Sequence, residues 1–363
     1  MMGVPQRLPQ MRRPVLVATA TVTLAFTGVL RAADDIVLDR FGAYLDSLRT
    51  QAAIPGLAAA IVGSNGVLRQ FAFGWRDVDR SFHVEANTPF HVDGLTQIVT
   101  ASLVLRCVEE RKLSLDDRIG QYSTNSGEPD ATLGQILSHT SKQGNALIFS
   151  YRLERLGLLA APLQVCFDES FRQAVTKEVL EPSLMMVDSV PGPDAATPAA
   201  SDGADQGTLD RYRRALDRLA TGYVVNGSTP AASAYPARTL TPWYGLITSV
   251  LDFANFDLGL KRSRGGLLSR NSIAAAWTAP FDANGRRLPH GLGWFVQSYN
   301  GETVVWQFGS GPASSSMVIT VPGRGLTLVL LANSNGLARG FNLSAGDVQV
   351  SPFAKAFLGT FLR

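Results

Sequence analysis

The 363-residue chain has four histidines, His83, His91, His139 and His290. No two of them stand four apart and none lies in an H-E-x-x-H run, so their spacing describes no zinc site. Cys107 and Cys166 form no C-x-x-C pair and read as two small core residues, with a disulfide as the alternative. No P-loop, no G-x-G-x-x-G after a strand and no G-x-S-x-G elbow occurs. No metal or organic cofactor is therefore expected. The acidic pairs Glu109-Glu110 and Asp116-Asp117, and the run Arg211-Tyr-Arg-Arg214 between Asp210 and Asp217, read as solvated surface. Hydroxyls able to act as nucleophiles are Thr96, Ser141, Ser310 and Ser314-Ser315-Ser316. Each needs a base within hydrogen-bond reach, and none is identifiable beside Ser310 or Ser314-Ser315-Ser316.

Positioning such groups falls to elements that hydrophobic patterning outlines. Phe41 to Gln51 reads as an amphipathic helix, and Leu95 to Val108, apolar on nearly every side, as a helix buried in the middle of the protein. Leu57–Val62 and Val67–Phe73 flank Gly63-Ser-Asn-Gly66, a hairpin signal. Near the C-terminus, Thr303–Gln307, Ser315–Val321 and Leu326–Ala332 are β-rich, the last two around Pro322-Gly-Arg-Gly325. Phe353–Leu362 is a final amphipathic helix. Helical periodicity dominates from 130 to 290, including Ser170–Leu180 stopped by Pro182. The Pro-, Ala-, Ser- and Gly-rich stretches 190–207 and 226–238 read as long surface loops. Strands at both ends around a helical middle imply an α/β domain, residues 34–120 with 295–363, carrying a mostly helical insertion at 121–294.

With 45% hydrophobic and 17% charged residues, the chain has material for a large core and not the composition of a disordered one. Arg7, Arg12, Arg13 and Arg31 lie in residues 1–33 without an acid. Removing these four charges from the net +3 leaves −1 for the body, so no nucleic-acid partner is expected. Arg12-Arg13, the uncharged run Val15–Leu30 and Ala32-Ala33 follow the order of a secretory signal peptide. A retained membrane anchor is the alternative. Either places the folded part in an exported location, periplasmic or secreted, with membrane contact only if the leader is kept.

Eight segments then occur in a telling order: Ile54-Pro-Gly-Leu57, the hairpin after it, Asn87-Thr-Pro-Phe90, Leu113-Ser-Leu-Asp-Asp117, Ile136-Leu-Ser-His-Thr-Ser141, Tyr244-Gly-Leu-Ile247, Gly291-Leu-Gly-Trp294 and Leu326-Thr-Leu-Val-Leu-Leu-Ala-Asn-Ser334. The series resembles the serine β-lactamase and penicillin-binding-protein superfamily, in particular its class C and D-alanyl-D-alanine-peptidase-like branch, over residues 40–363. The resemblance implies an antiparallel sheet flanked by helices with the helical insertion above. It also implies a Ser and Lys in S-x-x-K at the start of the buried helix, where one helical face brings amine and hydroxyl together.

This chain departs from that pattern at each key place. Gly94 stands where the serine would be and Gln97 where the lysine would be. The Y-x-N motif reads Tyr151-Arg-Leu153, keeping the phenol and losing the amide. The K-T-G or H-x-G motif reads Gln307-Phe-Gly309, keeping only the glycine. Loss of a serine nucleophile in a comparable hydrolase costs about 2 × 10⁶ in kcat, roughly 8–9 kcal/mol. The expectation is a catalytically inactive member that keeps a cleft for a peptide or cell-wall-type ligand. One alternative is an active hydrolase using Ser141, Ser310 or Thr96 with Tyr151 as base. Another is an interaction scaffold using loops 190–207 and 226–238. If Tyr151 and Gln307 face Gly94 across open space, a ligand site persists there; if apolar side chains such as Leu153 plug it, only the scaffold readings survive.

Overall fold

Small and β-branched residues around Gly63–Gly66 fold as the expected hairpin, β1 (Gly56–Val62) and β2 (Val67–Asp77). The computed structural model describes residues 20–362 apart from 124, 125, 199, 237, 263 and 264, with side chains from Asp35 onward. Strand β3 (Phe82–His83) follows β2. Three short two-stranded ladders come next: β4 (Phe90–His91) pairs β9 (Ile247–Thr248), β5 (Thr140–Gln143) pairs β6 (Ala146–Phe149), and β7 (Tyr223–Asn226) pairs β8 (Thr229–Ala232). Strands β10 (Phe295–Tyr299), β11 (Glu302–Ser310), β12 (Ser315–Val321) and β13 (Leu326–Ala332) come from the other end of the chain. They join β1–β3 in one antiparallel sheet ordered β10-β11-β12-β13-β1-β2-β3. Leu57 lies opposite Ala332 and Val62 opposite Thr327.

Period-two alternation divides the core. Leu57, Ala59 and Ile61 of β1 face one cluster with Trp306, Met317, Ile319 and Leu330. Ala58, Ala60 and Val62 face the other, with Val305, Val318, Val329 and Leu331. Helices cover both faces, which is why β1, β12 and most of β13 are buried without a polar side. The helices are α1 (Ala20–Gln51), α2 (Thr96–Glu109), α3 (Leu133–Leu137), α4 (Ala160–Phe167), α5 (Phe171–Val175), α6 (Gln206–Asp217), α7 (Val250–Lys261), α8 (Arg270–Ala276) and α9 (Pro352–Phe361). The α1 side chains Phe41 and Leu45 pack with Phe353 and Phe357 of α9 on the first face. Residues of α2 and α7 pack on the second. Among the described residues, no helix is long and apolar enough to cross a membrane.

Several expectations are corrected in detail. Cys107 and Cys166 are joined in a disulfide between α2 and α4, not left as separate core thiols; the fold brings two buried positions 59 residues apart side by side. The stretch 226–238 is not all loop, because Val224-Val225 and a left-handed Gly227 after Asn226 build the β7–β8 hairpin. In 190–207, Val190 and Ala195 are fully buried against Tyr212 and Ile247, so that stretch is not simply surface. The Ser170–Leu180 helix starts with a Ser170–Gln173 capping box and widens to a π turn at Thr176–Leu180. Helix α1 begins 21 residues before the expected Phe41. Of the expected leader, residues 1–19 lie outside the described residues and 20–33 are described only as helical backbone.

Candidate functional site

Residues 93–95 form a 3-10 turn that feeds directly into α2. The end of β11 lies against this turn. A Cβ at Gly309 would fall 2.2 Å from the Val92 carbonyl oxygen and 2.9 Å from the Gly94 nitrogen, so only glycine permits the contact. A Cβ at Gly94 would sit 2.9 Å from the Phe308 carbonyl oxygen, 3.0 Å from Leu153 Cδ2 and 3.4 Å from Gly309 Cα. The space into which a nucleophile at residue 94 would point is occupied by β11 and Leu153. Open space was expected at this point, and the immediate surroundings of Gly94 are instead crowded by β11 and the Leu153 side chain.

Around that point the structure gathers Gln97, His139, Tyr151, His290 and Gln307 into one hydrogen-bonded chain. The Arg152 backbone N–H donates to His139 Nδ1 at 3.3 Å, so Nε2 carries the proton and donates to Gln97 Oε1 at 3.1 Å. Gln97 Nε2 donates to Tyr151 Oη at 2.8 Å, and the phenol donates to Gln307 Oε1 at 3.4 Å. That oxygen also accepts the Phe308 N–H at 2.9 Å. Gln307 Nε2 donates to the Gly293 carbonyl and to His290 Nε2, both at 3.1 Å. His290 Nδ1 donates to the Gly291 carbonyl at 2.8 Å. Donors and acceptors therefore run in one direction from backbone to backbone.

Every member of the chain is neutral near pH 7. Burial holds the His290 imidazole down at about 3. Burial, helped by His290 and Arg155, holds His139 well below its usual value. Burial pushes the Tyr151 phenol up, against the Gln97 hydrogen bond. Imidazoles held this far down, with both ring nitrogens engaged, are weak bases for a hydroxyl proton at neutral pH. Where the family would place a charged lysine and cation, the chain has two glutamines that bond to each other's neighbours.

The first residue of the turn is Asp93, which sequence reasoning missed. It is fully buried and holds a left-handed backbone, φ 48°. Its Oδ2 accepts from Ser314 Oγ at 2.7 Å, while Oδ1 has no well-aligned donor, the Tyr244 hydroxyl lying alongside. Burial raises its carboxyl to about 7, with Tyr244 and Ser314 pulling the other way. The only local signal was the turn dipeptide Asp93-Gly94. His139 and His290 carried none, since the residues they contact are distant in sequence.

The hydroxyl candidates do not assemble with Tyr151. Thr96 Oγ1 donates to the Asp93 carbonyl at 2.8 Å and accepts the Leu246 N–H at 3.3 Å. Ser141 sits half-buried in the β5–β6 hairpin, and Ser310 is exposed at the end of β11. Tyr151 Oη bonds only Gln97 and Gln307 among the described residues. Ser315 donates to the Ser334 carbonyl and Ser316 to the Val92 carbonyl, both of them ties between elements. The acidic pairs behave as surface: Glu110 pairs with Lys112 and Arg106, and Asp117 Oδ2 caps the turn at Ser114.

Comparison with known proteins places the chain's family and fold. Protein flp of Staphylococcus aureus (strain MW2) is 24% identical over 326 residues, covering 78% of this chain and 60% of its own length. The chain thus spans less than two thirds of the curated relatives it matches first. Penicillin-binding protein 4 of Amycolatopsis lactamdurans is 31% identical over 102 residues, 26% of each chain. Among solved structures, an octameric penicillin-binding protein homologue from Pyrococcus abyssi superposes with a TM-score of 0.71 at 18% identity, covering 90% of this chain and 78% of that one. A class C β-lactamase from Rhodobacter sphaeroides gives 0.66 at 17%, covering 89% and 99%. Both likenesses are of fold, an antiparallel sheet with flanking helices. The family model described as Beta-lactamase matches residues 41–348, a span that holds both halves of the sheet and the turn at Gly94, and the chain belongs to that family.

Proposed function

We propose that this β-lactamase-family protein does not form an acyl-enzyme and acts by binding rather than turnover. The single observation that carries this reading is the self-satisfied, uncharged chain from His139 to His290, packed around a glycine whose side-chain space is taken. Nucleophile, base and cation are absent together, and the five remaining polar side chains already spend their hydrogen bonds on one another. A peptide or cell-wall-type ligand would find little there to hold it, so recognition is assigned to surfaces away from Gly94. Export is part of the proposal and rests on the order of charges and apolar residues in 1–33.

The test is covalent labelling with a fluorescent penicillin and a fluorophosphonate, with a class C β-lactamase as the positive control. The expected result is no adduct on intact-mass analysis and no nitrocefin turnover above buffer. A stoichiometric adduct mapped to Ser141, Ser310, Thr96 or any other hydroxyl overturns the reading.

A further inference from the structure

A groove of about 360 Å³ opens between α7, α8 and the β12–β13 turn, within the roughly 300–1,000 Å³ of small-ligand sites. It is remote from the Gly94 turn. Ser316 bonds that turn and Pro322 lines the groove, and the strand between them spans roughly 20 Å at 3.3 Å per residue. Leu260, Ile273, Ala274, Trp277 and Pro322 give it an apolar lining.

Its charge is one-sided. Lys261 and Arg270 line the groove and no carboxylate does. Lys261 is neutralised by the buried Asp257, 2.7 Å away. Arg270 is exposed, and no ion pair or hydrogen bond occupies its guanidinium among the described residues. An indole and aliphatic wall beside one unspent guanidinium fork suits a ligand with an apolar body and a planar anion at one end.

We propose that this groove binds a single-chain amphipathic carboxylate, its tail against Trp277 and Ile273 and its headgroup on Arg270. The proposal stands apart from the non-acylating reading, because it uses none of the residues near Gly94. It predicts that charge and chain are both required: an alcohol of equal length loses the Arg270 contact, and a short carboxylate loses the wall.

The probe is ω-bromoundecanoate, whose bromine quenches a tryptophan that it touches, titrated into the full chain with ω-bromoundecanol alongside. Saturable quenching is expected with the acid, with binding about tenfold weaker for the alcohol and for Arg270→Gln. Trp277→Phe should remove the quenching, and Ala274→Phe, at an exposed helix position, should narrow the groove and abolish binding without changing Tm. Absence of saturable quenching, its survival in Trp277→Phe, or equal affinities for acid, alcohol and Arg270→Gln each overturn the proposal.

Discussion

Asp93 bears most directly on how the turn before α2 behaves. A carboxyl lifted from 3.8 to about 7 by burial keeps its proton in the folded protein over a range where the unfolded chain has lost it. The folded state then binds more protons, so stability from this group is fully present below about pH 4, falls as pH rises, and levels off above about 7. The buried imidazole of His290 acts in the opposite sense. Held at about 3, it contributes stability above pH 6.5 that is lost as pH falls. Replacing Asp93 with Asn removes only the first contribution. Urea unfolding at pH 5 and pH 8 should show the wild type losing stability relative to Asp93→Asn across that interval, by an amount on the order of 2–3 kcal/mol at most. A wild-type-minus-variant difference that does not change with pH contradicts the assignment. The neighbouring glutamines have a different logic. From sequence, Gln97 and Gln307 read only as losses of lysine and cation. In the fold they are replacements, since an amide can donate and accept at once and so closes a chain that a charged lysine would leave unbalanced.

At the scale of elements, the disulfide ties the buried α2 to α4. Closing a loop of 59 residues restricts the unfolded chain by about 4 kcal/mol in the chain-entropy estimate. The double variant Cys107→Ala/Cys166→Ala, or the wild type under reductant, should lose about that much in denaturant unfolding with no change in the number of transitions. A loss below about 1 kcal/mol would show the bond to be idle. Whether the only two cysteines bond was not legible in the sequence, because their proximity comes only from the packing of α4 on α2. The strands were legible for the converse reason. Residues such as Ala58-Ala-Ala-Ile61 and Leu328-Val-Leu-Leu331 are buried on both faces, and a short apolar run between turn glycines has few other places to go. The catalytic pattern was legible as a set of absences. What replaced it was not, since Gln97, His139, Tyr151, His290 and Gln307 are linked one to the next across separations that no local pattern encodes. The β7–β8 hairpin was hidden inside a Pro- and Ala-rich stretch whose composition outweighed the Asn226-Gly227 signal.

Across the whole molecule, the sheet joins β1 to β13 in register, so the N-terminal hairpin and the C-terminal strands fold as one surface. Helices from the two ends of the chain then meet over it. The Phe41 ring lies 5.3 Å from Phe361, 6.2 Å from Phe357 and 6.4 Å from Phe71, each edge-on. It therefore bridges α1, α9 and β2. On the opposite face, α2 and α7 pack against the same strands, and α2 in turn carries the disulfide to α4. Loosening one face exposes strands that the other face depends on. Phe41→Ala should cost about 3–5 kcal/mol, and the cost should be shared by parts of the chain that Phe41 never touches. Hydrogen exchange read peptide by peptide along the denaturant titration follows the sheet around Trp306 in the first core, α2 in the second and the segment 121–294 separately. Coincident transitions for all these signals, moved together by Phe41→Ala, are the expected outcome. If the peptides of 121–294 keep their midpoint while those of the sheet shift, that segment is a separately stable unit and the continuity of the two cores through the sheet is not what holds it.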